Sequence, residues 1–214
     1  MKKPVGKRSG IQIIAGVVIA IAAVVLLLLF REDSTSDYIK SVEKRRRDLN
    51  QFMSSSAESP FEIVQRQSFT GLDYFPIDPD YRVNAKLTLL DKNEDPIEVL
   101  MTDGGIDTYI RYGWVDFQIE KQTYRLLVLK SREGQITNRL FLPFRDETSG
   151  SETYGGGRYI DIYQKGDTEL TIDFNKAYNP YCVYNIAYIC PVPPPENLLP
   201  ISVPAGEKMY PSPV

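Results

Sequence analysis

Histidine is absent from all 214 residues. Ser-His-Asp and Cys-His catalysis are therefore excluded, as is every metal site built on imidazole. Cysteine is nearly absent too, with residues 182 and 190 only, so no zinc framework of four thiolates can be assembled. Any chemistry has to run on carboxylates, tyrosine, lysine, arginine or thiol, and neither a metal nor a cofactor is expected. Internal repeats and long low-complexity tracts are missing. So is a basic surplus: four of the 25 basic residues and none of the 28 acidic ones precede residue 31, leaving a net charge of −7 from residue 31 onward. A nucleic-acid partner, which needs a basic surface, is not expected.

What is present begins with an apolar run. Residues 11–30, "IQIIAGVVIAIAAVVLLLLF", hold one polar side chain, Gln12. Twenty helical residues span about 30 Å, the thickness of a bilayer's hydrocarbon core, and predict a transmembrane anchor. The run exceeds a signal peptide's apolar region and no small-x-small cleavage pattern follows, so the anchor is read as uncleaved. Lys2, Lys3, Lys7 and Arg8 crowd the 1–10 tail, and "REDSTSD" beyond the run is acidic. That bias puts the tail in the cytoplasm and the body on the extracytoplasmic side, periplasmic or extracellular; "EKRRRD" at 43–48 weakens it. The "KRRR" run itself is read as a solvated helix face.

Residues 31–60 are predicted as a polar linker and one amphipathic helix. Ser36 suits its N-cap, Asp37 its first turn, and Tyr38, Val42, Leu49 and Phe52 share a stripe. "SSSAESP" ends it. From residue 61 the periodicity becomes two. "YRVNAKLTLL", "IEVLMT", "IDTYIRYG", "WVDFQIE", "TYRLLVLK", "RLFLPF", "GRYIDIYQ" and "ELTIDFN" are short β runs between turn signals. The predicted class is mostly β: an antiparallel sandwich or barrel of about eight or nine strands over 61–214, after a transmembrane helix and an amphipathic one.

The last two runs suggest a hairpin around "KGD", with Ile160 opposite Ile172 and Ile162 opposite Leu170. The same register gathers Tyr159, Asp161, Asp173 and Asn175 on the polar face. The cap over that face would be residues 176–200, inside the stretch "DFNKAYNPYCVYNIAYICPVPPPEN". Its prolines make a stiff strap that would present Glu196 and Asn197 at a fixed place. Cys182 and Cys190, an even pair in a domain read as exported, are expected to form a disulfide; reactive or metal-bound thiols and two buried free thiols are the alternatives. Seven of the fourteen tyrosines lie between 154 and 188, which suits either recognition of sugars, peptides or aromatic ligands, or packing of a loop.

The glycines of "DETSGSETYGGGR" lack the lysine and following helix of a phosphate loop, and point instead to a bulge or to close backbone approach. Arg158 enters the next strand on the apolar face. It needs a buried anionic partner, for which Asp146, Glu147 and Glu207 are available.

Together "YFPIDPDYRV", "LFLPFRDETSGSETYGGGRYID", "DFNKAYNPYCVYN", "CPVPPPENLLP" and "AGEK" resemble a bacterial family known as domain-of-unknown-function family 1684. The resemblance runs from residue 36 to 208. It implies a family whose members are often exported or membrane-attached, and no activity. Arg158, Asp173, Asn175, Tyr178, Asn179, Cys182, Cys190, Glu196, Asn197, Glu207 and Lys208 occupy its motif positions.

The function expected is a membrane-anchored binding module for a small polar ligand or cell-envelope component. Arg158, Asp161, Asp173, Asn175, Tyr178, Asn179, Glu196 and Asn197 are the candidate ligand residues, and the lipid bilayer is the partner of residues 11–30. Whether the protein is an enzyme stays open. A hydrolase could use Asp161 with Asp173, or Asp173 with Glu196, as a carboxylate pair. A purely structural or protein-interaction domain is the remaining alternative, in which the polar residues only hold the cap.

Overall fold

The structure is a computed structural model. It describes residues 9–90, 95–131, 139–163 and 168–211, apart from the side chains of 9–13 and 22–33. The chain forms two compact units, Met1–Glu43 and Lys44–Val214.

Helix α1 runs unbroken over Ser9–Ser55, so the expected linker at 31–35 and N-cap at Ser36 do not form. "REDSTSD" contains neither glycine nor proline, and its serines, threonine and aspartates cost a helix only about 0.5 kcal/mol each relative to alanine. Too little is lost there to break a helix begun upstream. Among the described residues no helix is long and apolar enough to cross a membrane. The span expected at 11–30 falls mostly on side chains outside the described residues. Near the C-terminal end of α1, Leu49 and Phe52 join Met53, Phe61, Val183 and Tyr184 in an apolar cluster, as their shared stripe predicts. A one-and-a-half-turn helix, α2, follows at Ile63–Ser68, where a strand pattern was expected to begin.

The rest of the second unit is built on one antiparallel sheet. Its strands are β1 Arg82–Leu89, β2 Pro96–Leu100, β3 Ile106–Ile119, β4 Gln122–Ser131, β5 Arg139–Phe144, β6 Arg158–Tyr163 and β7 Glu169–Asp173. They lie in the order β6-β5-β4-β3-β1-β7, with β2 on the outer half of β3. The described residues thus contain seven strands rather than eight or nine. "IDTYIRYG" and "WVDFQIE" are one 14-residue strand, and the break read between them is a bulge at Arg111/Gly113. A Cβ at Gly113 would lie 2.7 Å from the Thr88 carbonyl oxygen, so the strand crosses β1 where only glycine fits.

The expected β6–β7 hairpin is also corrected. β6 pairs with β5, β7 pairs with β1, and the two approach each other as the ends of a sheet that curls into a nearly closed barrel. Alternation specifies which face a residue takes but not which strand lies beside it. The faces accordingly came out as predicted. Val83, Ala85, Leu87, Val115, Phe117, Leu126, Val128, Leu140, Leu142, Ile160, Ile162, Leu170 and Ile172 all point into one core. Phe144 at the end of β5 and Phe174 just after β7 join that core, and Leu199, Val203 and Ala205 close it from the return of the C-terminal segment. Strand β4 is buried on both faces, because Leu127 and Leu129 pack outward against Ile97 and Val99.

Candidate functional site

The buried polar residues divide into several small assemblies. Arg158 opens β6 facing inward, and its Nη2 donates to Asp146 Oδ2 at 2.8 Å and to the Val203 carbonyl at 3.0 Å. Nη1 donates to the carbonyls of Ala205 and Glu207. A guanidinium this deep needs an anion and acceptors for its remaining N–H groups, and the C-terminal segment supplies them. Asp146 is thus the partner that the sequence requires. Its other oxygen accepts from the Thr148 amide and hydroxyl, at 3.0 and 2.6 Å. Gly157, before the arginine, has φ +94°, and a Cβ there would lie 2.6 Å from the Phe144 carbonyl oxygen. This is the close approach that the glycine run predicts.

Asn175 and Asn197 act as backbone surrogates. Asn175 accepts from the Asp78 amide and donates to the Asp78 carbonyl, which clamps the loop before β1. Asn197 stands where β4 and β5 part. Two residues on from the Leu129–Phe141 pair, Leu127 would face Pro143, which has no N–H to offer. The Asn197 side chain fills that gap. It accepts from the Leu127 amide at 2.7 Å and donates to the carbonyls of Leu127 and Pro143 at 2.8 and 2.6 Å.

Asn179 joins the segment that holds Glu207. Its amide donates to Glu207 Oε2 at 2.9 Å, and its side chain donates to the Lys208 carbonyl. The Tyr184 hydroxyl donates to the same carboxylate oxygen at 2.6 Å. Burial raises the Glu207 carboxyl to about 7, against the lowering effects of the Asn179 amide, the Tyr184 hydroxyl, Arg158 and Arg45. From the sequence Glu207 reads as a possible partner for Arg158 and as a motif position, not as a candidate ligand residue. What could have singled it out is a carboxylate inside "AGEK" on a segment that must fold back over the core.

Three of the eight expected ligand residues are not fully buried: Asp161, Tyr178 and Glu196. Glu196 pairs with Arg111 at 3.2 Å. Asp161 is held by Arg139 at 2.9 Å and accepts from the Tyr178 hydroxyl at 3.1 Å. Tyr178 is placed by antiparallel bridging to Tyr159, whose ring it meets edge-on and whose hydroxyl donates to the Pro191 carbonyl. Burial, then Asp161, push the Tyr178 phenol upward, so it serves as a donor. Beside this trio stand Tyr181 and Tyr188, both exposed and edge-on at 5.3 Å, and Arg139 and Asp161 both act electrostatically on Tyr181. Arg139 was not among the candidates, because nothing in "RLFLPF" distinguishes a strand arginine facing a site from one facing water.

Asp173 is buried, as expected, but its cation is Lys176 at 3.0 Å, while Arg158 has Asp146. Tyr159, Asp161, Asp173 and Asn175 thus have different partners: the Pro191 carbonyl, Arg139, Lys176 and the Asp78 backbone. Each carboxylate of the suggested acid–base pairs likewise has its own cation: Arg139 for Asp161, Lys176 for Asp173, Arg111 for Glu196. Among the described residues no three acidic or thiol side chains converge as metal ligands would.

The expected disulfide is not formed in this structure, where Cys182 and Cys190 are free thiols. The two are nonetheless adjacent, with the Cys182 amide donating to Cys190 Sγ at 3.2 Å.

Over residues 67–208 the chain matches the family described as "Protein of unknown function (DUF1684)". It is similar to the solution NMR structure of an uncharacterized protein of Haloarcula marismortui. The two share 33% identity at a TM-score of 0.65, across 82% of this chain and 96% of that one. No curated protein matches it.

Proposed function

The chain belongs to the DUF1684 family of proteins of unknown function, and we propose that it is a membrane-anchored binding module for a polyhydroxyl component of the cell envelope. The observation that carries this reading is the half-open trio Arg139–Asp161–Tyr178 beside the exposed rings of Tyr181 and Tyr188. A guanidinium, a carboxylate and a phenol offer donors and acceptors in fixed directions, and flat rings cover the apolar faces of a sugar. Arg158, Asn175 and Asn197 take no part in contacting ligand in this reading, because the hydrogen bonds they make go to the protein's own backbone and, for Arg158, to Asp146.

The anchor in this reading is residues 11–30. Its support is the length and apolarity of the run, together with the exposure of Ile14, Val17, Val18, Ile19 and Ile21. The lysine-rich tail supports an extracytoplasmic body, which protease added to intact spheroplasts would remove.

Saturation-transfer NMR on the full chain in micelles tests the binding, with monosaccharides and short oligosaccharides of envelope polymers as probes. Transfer to the sugar is expected with the natural chain and is lost in Asp161→Asn and Tyr181→Ala. No transfer from the natural chain to any of these sugars would overturn the reading.

A further inference from the structure

Cys182 and Cys190 lie apart from the trio's function and are arranged asymmetrically. Cys190 is fixed: its amide donates to Thr102 Oγ1 at 2.9 Å and its carbonyl accepts from the Thr102 amide at 2.9 Å. The chain after it continues this attachment, with the Val192 amide donating to the Leu100 carbonyl at 2.7 Å. Cys190 is also buried. Cys182 lies on the single turn Tyr181–Val183, remains partly accessible, and begins a loop whose Ile186 and Ile189 face solvent.

Cys190, Tyr154 and Thr102 are the neighbours whose donor groups bear on the Cys182 thiol. Such donors favour thiolate over thiol, and thiolate is the form that attacks. The hydrogen bond from Cys190 comes first among the causes that bring the Cys182 thiol down to about 7, while the Cys190 thiol is held up. One sulfur is thus accessible and activated, and the other is buried, fixed and within reach of it.

We propose that Cys182 and Cys190 form a thiol–disulfide exchange site for low-molecular-weight disulfides, in which Cys182 attacks and Cys190 resolves. The Cys182 thiolate attacks one sulfur of the small disulfide, forming a protein–small-molecule mixed disulfide and expelling the first small thiolate. Cys190 then loses its proton to solvent and attacks the Cys182 sulfur. The Cys182–Cys190 bond forms, and the second small thiol leaves. The protein dithiol has been oxidised by two electrons and the small disulfide reduced to two thiols, so the exchange balances with no further oxidant. The bond would close the nine-residue stretch 182–190 and withdraw the Cys182 sulfur from Tyr154 and Thr102.

The test uses the full chain and glutathione disulfide. After mild reduction, alkylation with limiting iodoacetamide at pH 7 is read by peptide mass spectrometry. Cys182 should react about tenfold faster than Cys190, with a rate that falls on acidification through pH 7. Added glutathione disulfide should then leave the natural chain two hydrogens lighter, and dithiothreitol should restore it. Cys190→Ser should accumulate one glutathione on Cys182, whereas Cys182→Ser should take up little at Cys190. Three results would each overturn the proposal: equal alkylation of the two sulfurs, no oxidation of the natural chain by glutathione disulfide, or a bond that folded protein does not surrender to dithiothreitol. The last would mark a structural disulfide. Because alkylation and oxidation are read on the natural chain, a misfolded variant would not obscure the answer.

Discussion

Arg158 Nη2 lies 2.8 Å from Asp146 Oδ2, with the two side chains 1% and 0% exposed. The surface pair Arg125–Asp116 has the better fork, with contacts of 2.7 and 2.9 Å, yet it is open to water. Burial, not geometry, decides which pair matters. Removing one member of a buried pair strands the other charge where water cannot reach it, at a cost of about 3–5 kcal/mol. Arg158→Met also leaves the carbonyls of Ala205 and Glu207 without the donor they have in Arg158. Urea unfolding should therefore place both Arg158→Met and Asp146→Asn well below the natural chain, while Asp116→Asn stays close to it. Similar losses for all three would mean that the interior pair contributes no more than the surface one.

Asn197 makes a comparable claim on the sheet. Asn197→Ala would leave the Leu127 amide, the Leu127 carbonyl and the Pro143 carbonyl without the partners that bridge β4 to β5. A loss of about 2–4 kcal/mol is expected, with faster hydrogen exchange at the Leu127 amide. Asn197→Asp keeps the shape and one acceptor but cannot donate to either carbonyl. It should be at least as damaging as alanine. An aspartate variant as stable as the natural chain would show that the two donated bonds carry no weight.

The contrast between Arg158 and Asp161 marks what the sequence can reveal. A charged residue on the apolar face of an alternating strand is a local contradiction, and burial resolves it in only one way, so both the need for an anion and the candidate Asp146 were legible. Asp161 sits on the polar face, where no contradiction exists. Its partner Arg139 comes from a neighbouring strand, and Tyr178 from the segment that bridges to β6 at Tyr159. The same limit applies to Ile160, Ile162, Leu170 and Ile172. Period-two patterning put them inside, while the pairing of β7 with β1 depends on closing a sheet across about ninety residues. Asn197 was noticed because of the stiff strap before it. Its task depends on Pro143, more than fifty residues earlier, so no local pattern links the two.

Glu207 supplies a pH dependence with a definite sign. Its carboxyl rises from 4.5 to about 7 in the folded chain, chiefly through burial; Tyr74, Tyr184, Asn179, Arg158 and Arg45 are the groups that act on it or share its electrostatics. In the unfolded chain it ionises near its ordinary value. Between these two points the folded state holds a proton that the unfolded state has released, so stability must fall as pH rises through the interval. Below about 4.5 both states are protonated, and above about 7 both are ionised, so the contribution is flat on either side. At about 1.4 kcal/mol per unit, the interval is worth about 3 kcal/mol. Other groups titrate in the same range, so the informative quantity is the difference between the natural chain and Glu207→Gln. Glutamine keeps an oxygen for the Asn179 amide and the Tyr184 hydroxyl and has no proton to release. Urea midpoints measured from pH 4.5 to 8 should show the variant gaining on the natural chain by about that amount, with most of the change between pH 5 and 7. Parallel curves would mean that Glu207 ionises as readily inside the fold as outside it, and that its two hydrogen bonds fully offset its burial.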